Sequence, residues 1–210
     1  MVNSIRSLVS LFIVTLVAAG NVRAQSVPEG WSAVADDGRT EAVEFVTMAP
    51  GWHLNPGPAA LVYETDRVTS DTFRIEYDAY FFQSEPSSFG AFFGGRGLEP
   101  ASYDFFEVMI DMEGRFRLGH RAGPEYHEVI PWTRHDAIAI PTAAEAVLNQ
   151  VVIDVSPARL VMIVNGAEVT SFEPPAYANF AGAAGIRVTD GASVHVTRFD
   201  FPPVEAAASR

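Results

Sequence analysis

The chain has 210 residues, 26 of them acidic and 14 basic, a formal net charge of −12 and no cysteine. Every basic residue is arginine, which excludes Schiff-base or general-base lysine, and the lack of cysteine excludes cysteine catalysis and a disulfide framework. Acidity of this size disfavours binding to nucleic acid by counterion release and attraction to an anionic membrane surface, so neither is expected as a partner.

Residues 1–24, "MVNSIRSLVSLFIVTLVAAGNVRA", read as a signal peptide. Arg6 supplies the positive start, Leu8 to Ala19 the apolar stretch, and Val22-Arg23-Ala24 a small-residue cleavage pattern. The apolar run stops at Gly20, Asn21 and Arg23, short of the roughly 20 residues a spanning helix needs. Cleavage after Ala24, a periplasmic or secreted location and no membrane insertion afterwards are expected. Residues 25–201 then form one domain, and 202–210, "PPVEAAASR", a frayed, disordered tail.

Alternation at period two dominates that domain. "TFRIEYDAYFF" sets Phe73, Ile75, Tyr77, Ala79 and Phe81 against Arg74, Glu76, Asp78, Tyr80 and Phe82. "YDFFEVMI" separates Phe106, Val108 and Ile110 from Tyr103, Phe105, Glu107 and Met109. "RFRLGHR" sets Phe116, Leu118 and His120 against Arg115, Arg117 and Arg121. "LNQVVIDV", "RLVMIVN", "AEVTSF", "AGIRVT" and "SVHVTRFDF" behave alike, and no stretch of helical length keeps a 3.6 period. Turn signals separate the runs at Asp36-Asp37-Gly38, Asn55-Pro56-Gly57-Pro58, Gly94-Gly95-Arg96-Gly97, Asn165-Gly166 and Asp190-Gly191. About eleven strands are too many for one sheet to cover its own core, so an all-β sandwich of two antiparallel sheets is expected.

Glu107, Asp111 and Glu113 fall close together, and paired carboxylates are the machinery of glycoside hydrolysis. The next residues argue otherwise for two of them. "DMEG" has Asp at the first and Gly at the fourth position of a type I turn, which places Asp111 and Glu113 at a solvated hairpin tip.

The succession "GPAALVY", "FRIEYDAYFF", "FGAFFGGR", "YDFFEVMIDMEGRFRLGHRAG", "NQVVIDVSPARLVMIVNGAEV" and "GAAGIRVTDGASVHVTRFDF" resembles the concanavalin A-like lectin/glucanase superfamily. Within it, the pattern is similar to bacterial domains of the 3-keto-disaccharide hydrolase and laminin G-like type, from about Trp52 to Phe201. The resemblance implies a jelly-roll sandwich. The laminarinase-type hydrolases of that superfamily carry E-x-D-x-(x)-E on one strand. Glu107, Asp111 and Glu113 have the wrong spacing for it, and after Glu76 and Asp78 the third position is taken by Tyr80 and Phe81.

The first expectation is therefore an exported, non-catalytic carbohydrate-binding jelly roll whose partner is a glycan or glycoside. Tyr80, Tyr103, Phe105 and Trp132 are the expected stacking platforms, and Arg74, Glu76, Asp78, Glu107, Arg115 and Arg117 the hydrogen-bonding groups. Two loop clusters would wall the site, one at Trp52, His53, Asn55 and Tyr63, the other at Trp132, Arg134, His135 and Asp136. One alternative is a glycoside or 3-keto-glycoside hydrolase using Glu107 or Glu76, with Asp78, and assisted by His53 or His195. A second is a laminin G-like protein-interaction module. The five histidines, at 53, 120, 127, 135 and 195, lack metal-ligand spacing, and there is no G-x-S-x-G elbow, so neither a metal nor a cofactor is expected.

Overall fold

The computed structural model describes residues 27–39, 43–82, 86–176 and 178–201. The expected signal peptide and tail lie outside these residues. Fourteen strands are described: β1 (Trp31–Ala35), β2 (Val43–Thr47), β3 (Trp52–Pro56), β4 (Ala60–Thr69), β5 (Phe73–Phe81), β6 (Ser88–Arg96), β7 (Asp104–Asp111), β8 (Arg115–Ala122), β9 (Glu125–Arg134), β10 (Val147–Val155), β11 (Leu160–Val164), β12 (Ala167–Phe172), β13 (Gly182–Val188) and β14 (Val194–Asp200). One 3₁₀ turn, Pro100–Ser102, precedes β7. The strands form two seven-stranded antiparallel sheets. The first runs β1-β4-β13-β6-β7-β8-β9 and the second β12-β11-β10-β5-β14-β3-β2.

The alternation read from the sequence decides which side chains meet between the sheets. Phe73, Ile75, Tyr77, Ala79 and Phe81 of β5 are all buried and face the first sheet, where Tyr77 and Phe81 pack edge-on against Phe89, and Phe73 against Phe93. Each such ring taken out of water contributes roughly 1.5–3 kcal/mol. Odd-numbered side chains of β5 and even-numbered ones of β7 and β8 thus share one core, and their neighbours point away from it on opposite sides of the molecule. The Asn165-Gly166 signal is fulfilled: both residues have positive φ, 50° and 83°, and join β11 to β12 as a tight hairpin.

Two expectations need correction. Trp132 and Arg134 do not belong to a loop but to β9, and Trp52, His53 and Asn55 belong to β3. β9 is an edge strand containing Pro131 and exposed side chains on both faces, and its pairing with β8 shifts register twice. A bulged edge strand loses the period-two signal that marks a strand in sequence.

Candidate functional site

The outward face of the first sheet carries a small second core: Val34, Leu61, Phe92, Tyr103 and Phe105 are buried there, away from the main one. This corrects the stacking role expected for Tyr103 and Phe105. At 2% and 0% exposure neither ring is offered to a ligand, and each instead supports what lies beside it.

Beside them runs a line of alternating charges. Arg187 of β13 donates both terminal nitrogens to Asp36, at 2.8 and 2.7 Å, and its Nε to Glu107 Oε2 at 3.2 Å. Glu107 Oε1 accepts from Arg117 at 2.7 Å, and Arg121 closes on Asp36 at 3.5 Å. β6 lies between Arg187 and β7, and the position that pairs with Arg187 is Gly90. Having no side chain there, β6 leaves the guanidinium free to cross it to Glu107. A Cβ on Gly90 would collide with the Val108 carbonyl of β7. Glu107 is 1% exposed and Arg187 3%, so this is a buried ion pair with both carboxylate oxygens engaged.

The line continues as a ladder of arginines and rings along β8 and β9. The Arg117 guanidinium lies 4.8 Å from the Tyr126 ring centre and 4.8 Å from that of Trp132, with Arg115 at 5.5 Å from Trp132 and Arg121 at 5.8 Å from Tyr126. Gly119 makes room for the Tyr126 hydroxyl, which rests on it. The hydroxyls of Tyr103 and Tyr126 and the Nε of Arg117 are buried without a hydrogen bond. Each phenol lies beside a carboxylate without reaching bonding geometry. Burial first, and then the charge of Asp36 for Tyr103 and of Glu107 for Tyr126, pushes both phenols well above the usual range. They remain O–H donors.

At the end of this ladder a cleft of about 490 Å³ opens between the β7–β8 hairpin, the start of β6 and β9. Ser88, Asp111, Glu113, Arg115, Arg117 and Trp132 line it. Asp111 corrects the expectation of a merely solvated tip acid: it is 5% exposed, accepts the backbone N–H of Glu113 and of Arg115 at 2.9 Å each, and takes Arg115 Nε at 2.7 Å. It locks the hairpin and aims Arg115. Glu113, by contrast, is exposed and pairs with Arg115 at 3.2 Å.

The structure does not bring Arg74, Glu76, Asp78 and Tyr80 to this cleft, which corrects the expectation of one shared face. They lie on the outward face of the second sheet, across the whole sandwich from Glu107. There Arg74 holds Asp154 at 2.6 and 2.8 Å, Glu76 is paired with Arg198, and Asp78 is 4.0 Å from Arg198. Tyr80 sits next to His195, which is stacked with His53, and His53 Nε2 is 3.2 Å from both Asn55 Oδ1 and Ser193 Oγ. His135 follows β9; its backbone N–H donates to Gly114 and its Nδ1 accepts from Ala137, so it fastens the hairpin and is not among the cleft-lining residues. Among the described residues no group of three or more metal-ligating side chains converges. Sequence reasoning missed Asp36, Arg121, Tyr126 and Arg187. Arg187 did leave a signal, a lone charge at the outward phase of "AGIRV"; Tyr126, in the bulged edge strand, left none.

No protein-family model matches the chain, and no curated protein does. Solved structures do. The carbohydrate-binding module CBM66 from Bacillus subtilis superposes with a TM-score of 0.63 at 11% identity, over 82% of this chain and 94% of that one. A protein of unknown function with a galectin-like fold, also from Bacillus subtilis, gives 0.58 at 11% identity, over 81% and 88%. A glycoside hydrolase family 16 endo-glucanase from Bacteroides ovatus gives 0.55 at 7% identity, over 82% and 94%. These likenesses establish the architecture: the chain has the concanavalin A-like jelly-roll fold of lectins and glucanases.

Proposed function

We propose that the protein is an exported, non-catalytic carbohydrate-binding module, and that its ligand occupies the cleft beside Trp132. The observation that carries this reading is Arg117. Its guanidinium is held between two aromatic rings and a buried carboxylate, and the residue lines an open cleft. A planar donor fixed in this way loses little entropy when it meets the hydroxyl oxygens of a sugar. Arg115 and Glu113 supply further donors and acceptors, and Trp132 an apolar wall. The fold is shared with a carbohydrate-binding module, which agrees with this reading.

The state of the acids favours binding over hydrolysis. Glu107 is sealed between two guanidinium groups, not set in an apolar pocket, and Glu76 and Asp78, on the outward face of the second sheet, both face Arg198 of the neighbouring strand. A hydrolase needs one carboxyl to donate a proton and another to attack or to activate water across the scissile bond. The export part of the proposal rests on the signal-like residues 1–24.

A glycan array followed by calorimetry on the best hit tests the proposal. Arg117→Ala and Trp132→Ala are expected to weaken binding at least about tenfold, or roughly 1.4 kcal/mol, while reducing-end assays on the same glycan stay silent. Turnover of the glycan that disappears in Glu107→Gln would replace the binding module with a hydrolase.

A further inference from the structure

A second cavity, of about 600 Å³, opens at the far end of β7 and on the opposite side of the first sheet, where β9 and β12 leave the edge of the sandwich unsealed. Its walls are apolar: Phe106, Val129, Phe172 and Ala178 all line it and all are only half-buried, so the core stays open here. Its rim is polar on one side. His120 stacks on Phe106 at 4.4 Å, its Nε2 is 3.0 Å from Asp104 Oδ1, and Arg96 holds the same carboxylate at 3.3 Å and reaches the Asn179 carbonyl at 3.4 Å. His127 lies over His120 with ring centres 6.0 Å apart. None of these groups belongs to the Trp132 cleft.

A carboxylate only accepts, so Nε2 of His120 is the donor to Asp104, and in the neutral ring Nδ1 is left as an acceptor. Arg96 has its charge matched by Asp104, so the rim does not favour an anion. The size falls within the usual range for small-molecule sites, about 300–1,000 Å³, as does the composition of apolar walls with a few convergent polar groups.

We propose that this edge cavity binds a small amphipathic molecule with a ring-sized apolar body and one hydroxyl. The body lies between Phe172 and Val129, and the hydroxyl donates to His120 Nδ1. The proposal is independent of the glycan reading, because the two sites share no residue.

The probe is 2-naphthol, titrated into the full chain and followed by the ring C–H resonances of the histidines, with 2-methylnaphthalene as the hydroxyl-free control. Saturable one-to-one binding that shifts His120 and His127, at least fivefold tighter than the control, is the expected result. Ala178→Trp fills the cavity from the crossover loop and Val129→Trp from the strand; either is expected to weaken binding at least tenfold. His120→Phe is expected to erase the preference for the hydroxyl, and Trp132→Ala to leave the affinity for 2-naphthol unchanged. Non-saturable partitioning, equal binding of the two probes by the unmodified chain, or binding that survives both cavity-filling variants would overturn the proposal. Loss of glycan binding in Trp132→Ala with 2-naphthol binding intact would leave both sites standing, and the reverse pattern in Ala178→Trp would confirm their separation.

Discussion

Glu107 accepts from Arg117 and Arg187 while being almost wholly out of water, so its removal leaves the buried Arg187 Nε and a terminal nitrogen of Arg117 without an acceptor. Glu107→Ala is therefore expected to cost on the order of 3–5 kcal/mol, the usual penalty for breaking a buried pair from one side. Urea unfolding checks it, and a loss below about 1 kcal/mol would show that the network is scaffolding of surface strength. His53 gives a second test at this scale. Burial lowers its pKa below 6.5, against the raising effect of its bond to Asn55, and His195 adds to the lowering. The folded protein then binds fewer protons than the unfolded chain just below pH 6.5, so this stability is fully present above that pH and is lost as pH falls through the lowered value. The stability advantage of the unmodified chain over His53→Gln is expected to shrink as pH drops from 7 to 5 in pH-resolved unfolding; an advantage that grew on acidification would contradict the assignment. Glu107, Arg115 and Arg117 could be read from the sequence as one face because period two fixes side. What sequence could not give was depth, since Tyr103 and Phe105 share that outward phase yet are sealed by residues brought from β1, β4 and β6.

Strand spacing explains how the elements set the site. β6 offers Gly90 where Arg187 must cross, and the position has no spare room toward β7. Gly90→Val is expected to destabilise the protein by at least roughly 1–3 kcal/mol through overpacking, and to weaken glycan binding through the displaced Arg187–Glu107–Arg117 line. Unchanged melting and unchanged binding would mean that the crossing does not govern the site. The hairpin β7–β8 is the other positioning device. Asp111→Ala removes the buried acceptor of three hydrogen bonds, leaving the N–H groups of Glu113 and Arg115 and the Arg115 Nε without it, and is expected to cost about 1–3 kcal/mol, measured by denaturant unfolding. The strands with strict alternation, β5, β7, β8, β10 and β14, were legible in the sequence. β9 is not, because two register shifts and Pro131 break its period, which hides from the sequence pattern that Trp132 and Tyr126 stand on a strand.

At the scale of the whole molecule the two sheets divide the labour. The first presents the buried ionic line and the Trp132 cleft; the second spends its outward acids on Arg74 and Arg198. The sequence pattern put both sets of acids on outward phases, and only the strand order shows that a whole sandwich separates them. The chain's three tryptophans make the central claim testable in one spectrum, since Trp31 and Trp52 pack against each other at 5.0 Å, away from the cleft, while Trp132 lines it. The measurement is a nitrogen-resolved titration of the indole N–H resonances with the best glycan from the array. The account predicts that the Trp132 resonance moves to saturation at the calorimetric affinity while those of Trp31 and Trp52 stay in place. A saturated complex in which Trp132 does not move would contradict it.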